Sequence, residues 1–174
     1  MKSAGIQAKP VARTRIRTTD SDHPHPIAEN IVNRDFSPSE KNQTWVADIT
    51  YIRVLTGFVY LAAILDLFSR KVVGWAISER IDAELCLAAL RHAVTTRRPA
   101  AGLIHHSDRG VQYACDAYQR FLSEHEITPS MSAKGYCYDN AFAESFFKTL
   151  KAEEVYLTEY ESYDEVKRRL PEFI

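Results

Sequence analysis

Cysteine is scarce, with three among 174 residues, and none stands at a CxxC spacing. Cys86, Cys115 and Cys137 are scattered, which argues against both a disulfide framework and a zinc knot and suits reduced thiols in a cytosol. Long hydrophobic runs are also missing. The longest, "FVYLAAILDLF", is too short and too acidic to cross a bilayer, and no signal peptide is visible, so a soluble protein of the cell interior is expected. Repeats and low-complexity tracts are absent. An excess of either charge is missing too, at a net charge of -1. That balance hides a gradient. Lys2, Lys9, Arg13, Arg15 and Arg17 face Asp20 alone at the start, while seven acids face three bases in the last 22 residues. A basic arm suits a polyanion such as nucleic acid, or is simply a solvated tail.

What is present is a globular pattern, 45% hydrophobic and 26% charged. Residues 1–40 show no periodicity, and "DSDHPHPIAEN" reads as extended because of its prolines. His23 and His25 have no partner at metal-ligand spacing. From Thr44 the pattern sharpens. "TWVADITYIRV", a turn at "LTG", "FVYLAAILDLF" and "KVVGWAIS" read as an antiparallel meander, apolar on both faces of its first two strands and so covered on both sides. Asp82 reads as the N-cap of a helix over "AELCLAALRHAVTT", burying Leu87, Leu90 and Val94 and stopped by Pro99. "GLIHHSD" is a strand, "ACDAYQRFLSEH" a helix and "ITPSM" an edge strand. "SAKGYCYD" is a loop, and "NAFAESFFKTLKAEE" a helix with Phe142, Phe146 and Leu150 as its core face. The order β-β-β-α-β-α-β-α predicts an α/β fold with a mixed sheet between helices.

Three acids stand out. Asp48 interrupts "WVADITYI", a run otherwise suited to a core, and a buried carboxylate needs an ion pair, a cation or a full set of donors. Asp108 ends a strand, where an open α/β sheet places its ligand crevice, although "SDRG" is also good turn chemistry. Glu144, Lys148 and Lys151 share the helix face opposite the phenylalanines, with Asn140 one turn earlier. That face is either solvated or part of a site. If the three carboxylates converge, their repulsion calls for a divalent cation, and oxygen-only ligands suit Mg²⁺ or Mn²⁺.

Asp108 follows Asp48 by 60 positions, and 35 residues lie between Asp108 and Glu144. This resembles the D,D(35)E signature of retroviral integrases and transposases. The words "WVADITYI", "YLAAILDLFSRKVVGWAIS", "IHHSDRGVQYA" and "GYCYDNAFAESFFKTLKAE" resemble the DDE transposases of bacterial insertion-sequence family three over roughly residues 20–170.

The resemblance implies an RNase H-like fold with a five-stranded sheet ordered 3-2-1-4-5. It implies that Asp48, Asp108 and Glu144 hold two Mg²⁺ (or Mn²⁺) ions for DNA strand cleavage and strand transfer in DNA integration and recombination. Lys148 and Lys151 would meet the DNA end, with Asn140, Lys134 and Tyr138 as further contacts. Transposon ends and target DNA are the implied partners, with a homo-oligomer, multimeric when two ends are synapsed. Residues 1–40 would be a basic arm trailing a missing DNA-binding region, 41–160 the catalytic core, and 161–174 the start of a truncated helix. Alternatives are an RNase H-like nuclease or an inactive DNA-binding or oligomerisation fragment. Asp66 is read as a turn or ion-pair residue, and His105 and His106 as hydrogen-bonded sheet residues.

Overall fold

The computed structural model of the chain describes residues 18–33, 36–133 and 140–174. Strands β1 (Thr44–Val54), β2 (Gly57–Asp66) and β3 (Val72–Ser78) form the expected meander. Val54 pairs with Gly57, leaving Leu55 and Thr56 as a two-residue hairpin turn. Gly57 has φ 150°, a value open to glycine and costly for other residues. Strands β4 (Ile104–Ser107) and β5 (Thr128–Met131) add parallel to β1. The sheet order is β3-β2-β1-β4-β5, as the resemblance implied.

Alternation along β1 divides two cores. Trp45, Ala47 and Ile49 face one way, together with Ala62 and Ile64 of β2. They pack against α1 (Ala83–Arg97), α2 (Val111–Ala114) and α3 (Asp116–Glu124). Asp82 caps α1 by accepting from the Leu85 N–H at 3.0 Å. Leu87 and Leu90 are buried as expected, with Val94 partly so. The close approach of α1 depends on Gly74 in β3: a Cβ there would sit 2.6 Å from the Ala93 Cβ. The other face carries Val46, Ile52 and Val54 with Leu61, Ala63 and Leu65. Asp48 belongs to this second set by its even position.

The helix read over 140–154 is two pieces, and a third extends it. These are α4 (Ala141–Leu150), a π-helical turn (Lys151–Val155) and the short α5 (Tyr156–Thr158), which Glu159 ends at φ 47°. The buried stripe of α4 is Ala143, Phe147 and Leu150, while Phe142 and Phe146 are only partly buried at its rim. Small Ala143 lets the helix approach the sheet, and the bulkier rings close the boundary. Arg70 lies 5.0 Å from the Phe142 ring centre. Helix α6 (Tyr163–Phe173), capped by Ser162, inserts Val166 and Leu170 into the same core.

Residues 18–33 contain no helix or strand, in line with the extended reading. They run past β5, where Glu29 O accepts from the Met131 N–H and Ser130 Oγ accepts from the Ile31 N–H. No helix among the described residues is long and apolar enough to cross a membrane.

Candidate active site

The parallel register of β1 and β4 pairs Val46 with His106. Asp48 lies two residues further along β1 and Asp108 just past the end of β4, so both stand where these neighbouring strands leave their pairing, and Asp48 feels the charge of Asp108. Among the described residues, Asp48 has one hydrogen-bond donor, the adjacent Ile49 N–H at 2.7 Å. Burial pushes its carboxyl up to about 8, and the negative charge of Asp108 and then of Glu144 adds to the rise; the Ile49 N–H and Lys151 oppose it. Asp108 is also raised, by burial, against the pull of two donors. Its Oδ1 accepts from the Gly110 N–H at 2.8 Å, and its Oδ2 from the Thr19 hydroxyl.

Glu144 projects from the first turn of α4, partly exposed, and near enough for Asp48 to feel its charge. Asp48 therefore lies within electrostatic reach of both other carboxylates. Among the described residues, no three His, Cys, Asp or Glu side chains are drawn together closely enough to hold a metal ion. The donor set nevertheless fits a hard divalent cation. It is made of oxygens, and Asp48 carries a penalty for being charged that a cation would remove.

Lys151 turns inward. It is half-buried, and its Nζ lies 4.2 Å from the Tyr51 ring centre. Desolvation lowers its affinity for a proton, while Asp48 raises it. The π-helical turn begins at this residue, and single π turns inside α-helices often mark functional sites. Lys148 is exposed on the preceding turn. Asn140 is buried, its Nδ2 donating to the Ala47 carbonyl at 3.5 Å, next to Asp48. It thus ties the start of α4 to β1. Lys134 and Tyr138 lie outside the described residues, as does Cys137; Cys86 and Cys115 are free thiols.

The rival residues have structural partners. Asp66 is fully buried and accepts from the Asn42 N–H, the Ser69 N–H at 2.7 Å and the Ser69 hydroxyl at 2.9 Å. It is a turn residue. His105 lies 3.0 Å from the Tyr118 hydroxyl, and burial pushes its pKa down to about 3. His106 lies 2.9 Å from the Ser130 hydroxyl. His23 reaches the Arg109 carbonyl at 2.9 Å, and His25 lies 3.7 Å from Asp116. Sequence reasoning missed Thr19, Tyr51 and Gln112 as neighbours of the site. Gln112 follows Asp108 by four positions in "SDRGVQ", a proximity that could have drawn notice; Thr19, 89 positions away, gave no signal.

A family model described as "Integrase core domain" matches residues 38–137, and a second with the same description matches 125–174. The chain belongs to the integrase core domain family. This integrase core is 44% identical over 157 residues to the "Insertion element IS600 uncharacterized 31 kDa protein" of Shigella sonnei, covering 90% of this chain and 58% of that protein. It is also 44% identical to "Transposase InsF for insertion sequence IS3A" of Escherichia coli (strain K12), covering 88% of this chain and 53% of the relative. The chain thus spans a little over half the length of these relatives.

Solved structures share the fold at lower identity. The catalytic domain of Mos1 mariner transposase has a TM-score of 0.62 at 15% identity, covering 76% of this chain and 69% of that one. The HTLV-2 integrase catalytic core domain in complex with magnesium (dimeric form) has 0.55 at 18%, covering 66% and 70%. The integrase core seen here is therefore RNase H-like.

Proposed function

We propose that this integrase core is the catalytic domain of an insertion-sequence transposase, cleaving DNA strands and joining a 3′-hydroxyl to target DNA. The register that stands Asp48 beside Asp108, with Glu144 close enough to raise the Asp48 pKa, carries this reading. The 44% identity to a named transposase supports it. Asp48, Asp108 and Glu144 would hold two Mg²⁺ or Mn²⁺ ions. The chemistry such ions would supply there is Lewis-acid activation of an attacking oxygen and stabilisation of a departing one in phosphoryl transfer.

The chain's own groups do the rest. Gly110 N–H orients Asp108 by its hydrogen bond to Oδ1. Asn140 fixes α4 on β1, which sets the height of Glu144 over the strand ends. Lys151 offsets the charge of Asp48 in the resting site and, with exposed Lys148, supplies positive charge for DNA phosphates. No side chain is needed as a covalent nucleophile. Transposon ends and target DNA are the proposed partners. A homo-oligomer that synapses two ends, acting in the bacterial cytoplasm, follows from the likeness to insertion-sequence proteins.

The test is a strand-transfer assay with Mn²⁺ on an oligonucleotide bearing the element end. The chain is expected to nick and join, and Asp48→Asn to give no product. Equal product from both proteins would sink the assignment.

A further inference from the structure

Gly110 sits between two oxygens. A Cβ placed on it would lie 2.9 Å from Asp108 Oδ1 and 2.9 Å from Gln112 Oε1, so both atoms face one point beside the glycine. Gln112 is buried at 6% exposure, and its Oε1 is sealed from solvent with no hydrogen-bond partner in the described structure. A buried acceptor without a donor is unfavourable, and native proteins seldom keep one without a reason. Here the neighbour makes matters worse. A carboxylate oxygen is another acceptor, and two acceptors facing one point repel.

Among the described residues, three donors beside Asp108 are already engaged. The Gly110 N–H goes to Asp108 Oδ1. The Thr19 hydroxyl goes to Asp108 Oδ2, the other oxygen. Arg109 Nε turns away to the Ser132 carbonyl at 2.6 Å. What would satisfy Asp108 and Gln112 together is a group bringing positive charge to the first and donor hydrogens to the second. A hydrated divalent cation is such a group, because Mg²⁺ keeps several waters when carboxylates bind it. A neutral amide can orient such a water without adding to the repulsion among the carboxylates.

We propose that Gln112 is a positioning residue of the cation site, its amide oxygen accepting a hydrogen bond from a water carried by the ion that Asp108 binds. This rests on reading Asp108 as a cation ligand, and the experiment separates the two. Free Mn²⁺ is titrated by electron paramagnetic resonance against the wild-type chain and Gln112→Leu, Gln112→Glu and Asp108→Asn.

Loss of an outer partner of a metal site weakens binding about 10- to 100-fold, the effect expected of Gln112→Leu. Gln112→Glu keeps an acceptor in the same place and is expected to bind Mn²⁺ at least as tightly as wild type. A purely structural amide would give no such rescue. Two results overturn the inference while leaving Asp108 as a ligand. In one, Gln112→Leu binds like wild type although Asp108→Asn does not. In the other, Gln112→Glu is as weak as Gln112→Leu, which would mean that the amide N–H groups hold Asp108. Unchanged binding in Asp108→Asn would remove the cation site, and this inference with it. The near-isosteric Gln112→Glu remains decisive if the leucine variant does not fold.

Discussion

Asp48 and Asp66 sit on paired strands of one sheet, Asp48 in the middle of β1 and Asp66 at the end of β2. Asp66 is fully buried, and three donors from Asn42 and Ser69 converge on it. Asp48 has one local N–H and two other carboxylates for company. The first aspartate closes a turn, because its charge is spread over hydrogen bonds that the fold supplies. Among the described residues the second is left short of donors, so folding costs more when it is ionised.

The largest effect that would break this contrast is on activity. Asp48→Asn is expected to lower strand cleavage by more than about 100-fold, beyond what an outer partner of a cation costs. Asp66→Ala should leave activity per folded molecule intact and fail in a different measurement. It strands three donors at about 1–3 kcal/mol each, so urea unfolding should show a loss of about 3 kcal/mol or more. Activity loss in Asp66→Ala with unchanged stability would erase the distinction between the two acids.

Cation binding sharpens it. At a Mn²⁺ concentration of about 100 times Kd, the wild-type chain should gain about 2.7 kcal/mol of stability, and Asp48→Asn far less. The comparison also predicts a pH dependence without cations. The folded chain holds the Asp48 proton up to about 8 against the ordinary 3.8, so it binds more protons than the unfolded chain between those values. The proton's contribution is complete below about pH 4 and is lost as pH rises through about 8. Measured by denaturation, wild type should match Asp48→Asn near pH 4 and fall progressively below it towards pH 8. A flat difference would show that Asp48 is better served than its surroundings indicate. The smallest expected effect is that of Thr19→Val. It should change stability by no more than about 1 kcal/mol and strengthen Mn²⁺ binding in the titration described for Gln112.

The meander was legible because β-branched and aromatic runs with a two-residue turn leave few alternatives, and the two-sided apolar pattern announced helices on both faces. Asp48 was legible for the reason it matters, as a charge where a core residue belonged. The end of α4 was not. Periodicity carried one regular helix through Lys151, whereas the chain widens into a π turn there and sends the lysine onto Tyr51. A pattern of 100° steps cannot register one inserted residue. Nor could it show that Asn140 would be spent on a strand carbonyl, or that Ala143 rather than Phe142 would lie deepest, since close packing rewards small residues that hydrophobicity ranks low.

The Thr19 hydroxyl on Asp108 also bears on the equilibrium of ion binding. A tethered group competes at an effective concentration that can reach the millimolar range, whatever the dilution of the protein. An ion arriving at Asp108 therefore contends with a rival that never diffuses away. Its apparent affinity depends on the pose of the leading segment as well as on the ligands themselves.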